Sequence, residues 1–285
     1  MAEVRIGVSG WRYAPWRGDF YPSGLAQRRE LEYIGQTFPT VELNGSFYSL
    51  QRPESYVRWR ESTPPGFTFA LKGGRFITHF KALQDVEVPL ANFFASGVLA
   101  LEDRLGPFLW QLPARQQLDL DRVAAFLELL PTTTTQAAQL AERHDERLDN
   151  RAWTTTDADR PLRHALEVRH ESYADPAFHE LLREHDAGLV VSDGGASWPV
   201  FEDVTATLVY VRLHGATELY VSGYDEPALQ SWAAKVRAWY EAGHDVVVYF
   251  DNDAKVRAPF DALALTEMLA DIAERPAAAV GTLGG

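Results

Sequence analysis

The residues with the clearest chemical potential in this sequence are charged side chains inside apolar segments. Glu42 stands in the run Val-Glu-Leu and Glu167 in the run Leu-Glu-Val, and Arg169 and Arg212 also lie in apolar segments. A charge among apolar neighbours is costly unless it is paired, so each carboxylate predicts a cationic partner: Arg169, Arg212 or Lys72. The pattern favours a charged pocket for a polar or anionic ligand. The alternative is a buried ion-pair network that only ties strands together.

The chemistry that such a pocket would perform is proton transfer on a clamped ligand. Guanidinium and ammonium groups suit phosphate and carboxylate, and a carboxylic acid that faces a carboxylate can supply acid and base roles. We predict Glu42, Glu167 and His214 as catalytic residues, with His214 as a proton shuttle. Many barrel glycosidases place two carboxylates with a similar offset, but arginines nearby would hold both groups ionised, which argues against that particular reaction.

The predicted ligand-binding residues share one feature, a position at or just after the end of a strand-like segment. They are Trp11, Asn44, Tyr48, Lys72, His79, Gln111, Arg169, Asp193, Arg212, Tyr249, Asp251 and Asn252. Aromatic side chains in the first two loops could stack on a sugar or a base. They could equally pack the mouth of the fold or hold a helix against a strand.

Metal binding is an alternative that the sequence supports only weakly. His79 and His214, together with carboxylates at strand ends, could in principle ligate a divalent cation. The segment from His179 begins like a zinc-protease helix, but Arg183 occupies the position of the second histidine. We therefore assign no metal ligands and expect no cofactor. The chain has no cysteine, which removes disulfides, thiolate nucleophiles and thiolate metal sites.

The elements that would position these residues are eight strand-like segments that mostly alternate with helical patterns. They span residues 4–9, 40–43, 67–72, 107–112, 165–169, 189–192, 207–213 and 246–250. This alternation predicts a single α/β domain, a (β/α)8 TIM-type barrel whose chemistry lies at the carboxyl ends of the strands. An open, doubly wound sheet is the alternative.

The helical patterns predict further details of the domain. Apolar residues spaced over 90–101 indicate one face of a single helix. Residues 114–163 separate strands four and five, and their polar part, 132–160, predicts a helical insertion on the outside with little share in the core. We expect the domain to cover residues 1–275 and residues 276–285 to form a flexible tail.

The overall charge limits the partners of the protein. Its 285 residues carry 27 Lys and Arg against 40 Asp and Glu, a net charge of −13. Such a surface repels phosphate backbones and anionic lipid, which argues against nucleic acid and membrane as partners. No targeting segment or membrane span is apparent, so we expect a cytoplasmic protein. A small polar or anionic molecule is the expected ligand, and the oligomeric state stays open.

A series of short motifs resembles the YecE-like family, named for a domain of unknown function. The motifs are Ser9-Gly10-Trp11, Val41-Glu42-Leu43-Asn44, Phe69-Ala70-Leu71-Lys72, Gln111-Leu112-Pro113, Glu167-Val168-Arg169-His170, Val211-Arg212-Leu213-His214-Gly215 and Tyr249-Phe250-Asp251-Asn252. The resemblance implies one TIM-type barrel with a polar pocket lined by these residues, and no settled activity. The family pattern has two asparagines after the last strand, whereas this chain has Asp251 before Asn252, which adds a carboxylate to the pocket.

These observations lead to one functional hypothesis and two rivals. The leading hypothesis is a hydrolase or lyase that acts on a small polar or anionic substrate, such as a sugar or a phosphorylated metabolite. The first rival is a metal-dependent phosphodiester hydrolase on nucleic acid, which needs bound metal and a basic rim. The second is a barrel that binds a ligand without converting it.

Overall fold

The computed structural model describes residues 2–277 and has a parallel barrel at its centre. Its strands are β1 (Val4–Ser9), β2 (Thr40–Leu43), β3 (Thr68–Lys72), β4 (Leu105–Gln111), β5 (His164–Glu167), β6 (Gly188–Leu189), β7 (Val191–Asp193), β8 (Leu208–Leu213) and β9 (Asp245–Phe250). Neighbouring strands pair in parallel in the order β6-β5-β4-β3-β2-β1-β9-β8-β7. The predicted α/β barrel is confirmed.

The predicted sixth strand is present as two short strands, β6 and β7, which are separated by Val190. β6 pairs with β5 and β7 pairs with β8, so the two halves of this strand connect the two ends of the sheet. Val190 continues the contact with β5 because its N–H donates to the carbonyl of Leu166 at 2.9 Å. The barrel is therefore nearly closed, with eight strand positions and an interruption in the sixth.

Helices surround the barrel and connect most of its strands. They are α1 (Glu30–Thr37), α2 (Gly45–Tyr48), α3 (Pro53–Glu61), α4 (Glu87–Ala95), α5 (Leu120–Leu129), α6 (Thr134–Ala141), α7 (Pro176–Glu184), α8 (Glu226–Glu241) and α9 (Arg257–Met268). Side-chain oxygens cap the amino ends of α5 to α8, where free backbone N–H groups need acceptors. The capping residues are Asp119, Thr133, Asp175 and Asp225.

The single helix predicted over residues 90–101 is wrong, because the segment divides at Gly97. α4 ends at Ala95, Gly97 takes a left-handed conformation with φ of 114°, and a 3-10 helix follows over Val98–Arg104. A Cβ atom at Gly97 would lie 2.6 Å from the Cα of Pro53. The glycine therefore allows both the turn and the close approach of α3. Both halves remain buried, which explains the unbroken apolar pattern.

The insertion between β4 and β5 lies outside the barrel, but it shares more of the core than its polar sequence predicts. α6 packs against α4, and Ala137, Ala141 and Leu148 are fully buried. Part of its threonine content is structural: Thr133 caps α6, and the hydroxyl of Thr134 donates to the carbonyl of Ala158 at 2.7 Å. Small side chains and local hydrogen bonds replace the large apolar residues that the pattern lacked.

The barrel interior is layered, and this layering positions the candidate site. Its lower part is an apolar cluster of Ala70, Leu109, Ala165, Val190, Leu208, Tyr210, Val247 and Tyr249. Side chains two residues apart on a strand share a face, so the next inward positions are polar: Lys72, Gln111, Glu167, Ser192, Arg212 and Asp251. Ser9 and Glu42 join this layer from β1 and β2.

The ends of the chain test the remaining expectations only in part. α9 ends at Met268, turns follow up to residue 272, Ala273 forms a parallel bridge with Val4, and residues 274–277 have no regular secondary structure. Most of the predicted tail, residues 278–285, lies outside the described residues. Between residues 2 and 277 no helix has the length and apolar composition that a bilayer crossing requires.

Candidate active site at the carboxyl end of the barrel

Arg212 on β8 is the centre of the site and has no exposed surface. Its Nε and Nη2 atoms donate to the two carboxylate oxygens of Glu42 at 2.9 and 2.7 Å. Nη1 donates to Glu167 at 2.8 Å, and Nη2 also donates to Asp251 at 2.8 Å. One guanidinium therefore serves three carboxylates from β2, β5 and the end of β9. We name these four residues the Arg212 cluster.

Glu42 uses both of its oxygens inside this cluster. Besides Arg212, it accepts hydrogen bonds from the hydroxyl of Tyr210 at 2.7 Å and from that of Ser9. Asn44 donates in turn to the Ser9 hydroxyl at 2.8 Å. Burial and the charge of Glu42 raise the pKa of Tyr210 well above its ordinary value, so this phenol remains a donor. Glu42 has no exposed surface and no oxygen left for a ligand.

Glu167 is held in the same way from the other side of the barrel. Its Oε1 accepts from Arg169 Nε at 2.8 Å and from Ser192 at 3.0 Å, while Oε2 accepts from Arg212. Burial alone would raise the pKa of Glu167, but Arg169 and Arg212 outweigh it and hold this pKa well below the ordinary value. The guanidinium of Arg169 also lies 3.8 Å from the ring of Trp198. The predicted pairing of these glutamates with arginines is present.

Asp251 is the carboxylate of the cluster with exposed surface, 14% of its side chain. Burial opposes its ionisation, but Arg212 and His214 lower the pKa of Asp251 below its ordinary value. His214 Nδ1 lies 3.1 Å from Asp251 Oδ2. The His214 ring is itself buried, edge-on to Trp198 and Tyr220 at centroid distances of 5.3 and 5.4 Å. Asp251 therefore faces the mouth with His214 behind it.

Lys72, at the end of β3, is buried apart from 8% of its surface. Its Nζ lies 4.5 Å from the centre of the Phe47 ring. Within residues 2–277 this ammonium has no carboxylate at ion-pair distance and no hydrogen-bond acceptor, since Arg212 holds the three nearby carboxylates. Burial and the charge of Arg212 lower the pKa of Lys72 to about 8.

His79 lies on the same side of the mouth and is part of a positive region. Burial, followed by the charges of Lys72, Arg169 and Arg115, lowers the pKa of His79 to about 4. The imidazole is therefore neutral at pH 7, with Nδ1 2.9 Å from the hydroxyl of Thr78. Three cations, from β3, from just after β5 and from the loop after β4, are thus close enough to act on one histidine.

Trp11, Asn44 and Tyr48 line a cavity of about 370 Å³ beside the first loop. Trp11 is nearly buried and packs edge-on against Trp59 with a centroid distance of 5.7 Å. Tyr48 is 64% exposed at the outer rim. Four of the ten residues that line this cavity are aromatic. Of these, Trp11 packs within the fold, whereas Tyr48 leaves a surface on which a ligand could stack.

Three predicted binding residues have side chains engaged away from the Arg212 cluster. Tyr249 lies in the apolar layer below, with its hydroxyl 2.7 Å from that of Thr40. Asp193 accepts from the Gly195 N–H and the Tyr224 hydroxyl, which organises the loop after β7. Asn252 donates to Asp261 on α9 and to the carbonyl of Ser222. Strand-end position alone does not distinguish these supporting roles from contact with a ligand.

Several site residues were not among those predicted, although a structural signal exists for some of them. Tyr210 lies two positions before Arg212 on β8, so alternation along the strand would have found it. Arg115 and Trp198 lie in irregular loops, where sequence spacing gives no orientation. Asp253, just after Asp251, is a further case: burial and the charge of Asp251 raise the pKa of Asp253 to about 6.

The histidines and carboxylates do not assemble as metal ligands. Among residues 2–277 no three His, Asp or Glu side chains form a group that could hold a metal ion. His79 packs edge-on against Phe47 at a centroid distance of 5.1 Å, whereas His214 lies between Trp198 and Tyr220.

Comparison with known proteins agrees with this fold. The family described as Protein of unknown function DUF72 matches residues 5–281. The Escherichia coli K12 protein named UPF0759 protein YecE is 24% identical over 245 residues, 84% of this chain and 82% of that protein. A DUF72 family structure from Thermotoga maritima MSB8 has a TM-score of 0.75 and 26% identity, covering 94% and 99% of the two chains. One from Enterococcus faecalis V583, 18% identical, shares the fold with a TM-score of 0.70 and covers 94% and 95%.

Proposed function

This chain belongs to the DUF72 family of proteins of unknown function, and from its barrel mouth we propose that it is an enzyme, a hydrolase or a lyase, acting on a small anionic substrate such as a phosphorylated or carboxylated metabolite. The observation that carries the proposal is the position of Lys72, whose ammonium shares the Phe47 ring with His79 and has no carboxylate partner within residues 2–277. The charges of Arg169 and Arg115 act on the same histidine. Lys72 keeps 8% of its surface exposed and no acceptor among residues 2–277 binds its ammonium, so this charge is open to the solvent at the mouth. An anion bound at the mouth would supply the acceptor that Lys72 lacks.

The residues around these cations suit such a ligand. Arg115 is exposed on the rim and Gln111 lies in the polar layer, so both are placed to bind the anionic group as it enters. His79 is neutral at pH 7 and adds a hydrogen-bonding group without a charge. The cavity beside Tyr48 would accommodate the remainder of the substrate, such as a sugar ring.

The geometry favours Asp251 over the two glutamates as the group that moves a proton. Glu42 and Glu167 have no exposed surface and serve the guanidiniums, so in this proposal they position Arg212 and Arg169. Asp251 reaches the mouth, stays ionised, and has His214 beside it as the shuttle. Because Arg212 and His214 lower its pKa, Asp251 alone is a weak base, and in this proposal it takes up the proton together with His214, as a carboxylate–imidazole pair. General-base catalysis is worth roughly 100- to 10,000-fold in rate.

The test is a comparison of paired ligands by thermal unfolding and then by turnover. We expect inorganic phosphate and glucose 6-phosphate to raise the melting temperature, and glucose itself to raise it far less. A ligand at about 100 times its Kd contributes about 2.7 kcal/mol. Lys72→Met should remove the shift, whereas Arg143→Met, on the surface pair with Glu87, should keep it. Equal stabilisation by glucose would contradict an anionic substrate.

Turnover separates an enzyme from a binding protein. Compounds that stabilise the protein are incubated with it and their products are identified by mass spectrometry. Asp251→Asn should lower the rate at least about 100-fold while the stabilising compounds still bind. Binding without any conversion would instead support a barrel that only holds its ligand.

A further inference from the structure

We propose that Lys72 is a nucleophile that forms an imine with a substrate carbonyl, so that the substrate combines an aldehyde or ketone with a phosphate or carboxylate group. This inference rests on the proposed function and narrows its substrate class. It begins from a chemical difference among the cations of the site. Arg169 and Arg212 are fixed by carboxylates, whereas Lys72 is bonded to none within the described part of the chain.

The Arg212 cluster is the reason that Lys72 is free. Glu42, Glu167 and Asp251 all lie near enough to influence Lys72, yet each accepts a hydrogen bond from Arg212 and none from Lys72. The Lys72 side chain instead contacts the ring of Phe47. Removal from water and a neighbouring cation are the two conditions that activate a lysine amine as a nucleophile.

The protonation state permits this reaction near neutral pH. With its pKa at about 8, Lys72 is half neutral at pH 8, whereas a solvated lysine with pKa near 10.4 is only about 0.4% neutral at that pH. The charged groups that face it are Arg212, Glu42, Glu167 and Asp251. Formation of the imine should therefore accelerate between pH 7 and 9 and level off above that range.

The covalent step balances without any additional reagent. The lone pair of neutral Nζ attacks the carbonyl carbon, and one proton passes from the nitrogen to the carbonyl oxygen, through solvent, to give a neutral carbinolamine. This hydroxyl, protonated by solvent, leaves as water, and the nitrogen lone pair forms the C=N bond of an iminium. The iminium carries one positive charge, as the ammonium did, so the three nearby carboxylates balance it equally well.

The chain is well suited to a test by borohydride trapping, because it has four lysines: Lys72, Lys81, Lys235 and Lys255. The protein is incubated with pyruvate or dihydroxyacetone phosphate, reduced with sodium borohydride, digested and mapped by mass spectrometry. We expect one reduced adduct per chain, on Lys72. Dihydroxyacetone, which lacks the phosphate, should give at least about tenfold less adduct, because it loses the anionic contact.

Two complementary variants are compared, so that assigning the adduct to Lys72 does not depend on a single substitution. The triple variant K81R/K235R/K255R retains Lys72 as the single lysine and should still give the adduct. Lys72→Arg keeps a cation and should give none, while phosphate continues to raise its melting temperature. If neither probe gives an adduct on Lys72 between pH 7 and 9, the imine proposal is overturned. If phosphate nevertheless still raises the melting temperature, the proposed anion site is supported. Absence of both signals overturns the two proposals together, and labelling of all lysines equally overturns the special role of Lys72.

Discussion

Arg212 is buried and donates hydrogen bonds to three carboxylates, and this makes it the most consequential single residue of the site for stability. Arg212→Met would leave Glu42 charged and without a cation in the barrel interior, while Glu167 would keep only Arg169. Breaking a buried pair by removing one partner costs about 3–5 kcal/mol. We expect the free energy of unfolding, measured in urea, to fall by at least that amount. Arg143→Met, at an exposed pair, should change it by less than about 1 kcal/mol.

A second comparison distinguishes charge from packing at the same position. Arg212→Met combined with Glu42→Gln removes the carboxylate that the single variant leaves without a cation, and it should recover part of the stability. If the single Met variant were as stable as the parent protein, the cluster would not carry the electrostatic role assigned to it.

At the level of residues, the sequence predicts that the charges pair, but not which partner each one takes. A carboxylate in an apolar strand needs a cation, and this argument correctly led to arginine for Glu42 and Glu167. Lys72 was an equal candidate, and only the barrel geometry leaves it without a carboxylate among the described residues. Asp193 and Tyr249 also lie at strand ends, yet their side chains form hydrogen bonds outside the Arg212 cluster.

Among the elements, the break at Gly97 gives a prediction that depends on two distinct costs. Gly97→Ala would strain a left-handed residue and also press a Cβ against Pro53 on α3. Gly66→Ala carries a similar backbone strain, with φ of 81°, but nothing lies within 4 Å of the new Cβ. We expect a loss of about 1–2 kcal/mol at Gly66 and a further 1–3 kcal/mol, roughly, at Gly97 from overpacking. Urea denaturation of both variants measures the difference in their free energies of unfolding. Equal losses would mean that α3 moves away from the new Cβ without a loss of stability.

The elements show what periodicity can and cannot provide. Strand positions follow from short apolar runs, and the predicted order of β and α segments was enough for the barrel. The division at Gly97 was missed because residues on both sides face the core, so the apolar spacing continues through a change of direction. The interruption of the sixth strand at Val190 was missed for a related reason: Val is the residue expected in a continuous buried strand.

For the whole molecule, net charge describes the surface and not the site. The chain carries −13 overall, while cations converge beside His79 at the barrel mouth. An acidic exterior with a small group of cations at the mouth disfavours extended polyanions but admits a small anion, because the repulsion acts over the large surface and the attraction over a few ångströms. The amino-acid composition alone predicts the acidic exterior. The cations at the mouth follow only from the fold, which brings β3, β4 and β5 together.

The stability of the whole molecule should fall in mild acid because of one histidine outside the site. His164 on β5 is buried, its Nδ1 accepts from the Trp110 indole at 3.1 Å, and its Nε2 lies 2.8 Å from the carbonyl of Pro131. Burial lowers the pKa of His164 to about 4, against about 6.5 in the unfolded chain. As the pH falls below about 6.5, His164 becomes protonated in the unfolded chain. In the folded protein it stays neutral until about pH 4.

The free energy of unfolding should therefore decrease across this window, by up to about 3 kcal/mol from His164. His164→Gln lowers stability at pH 7 by disturbing the core, but it should flatten the slope between pH 6.5 and 4. His79 titrates in the same window, so the measurement is the difference in slope between the two proteins. The same substitution at His185, which is only partly buried, controls for loss of a histidine. Parallel pH profiles for the parent protein and His164→Gln would contradict the assignment, because a histidine kept neutral by the fold must contribute a proton to the unfolding equilibrium.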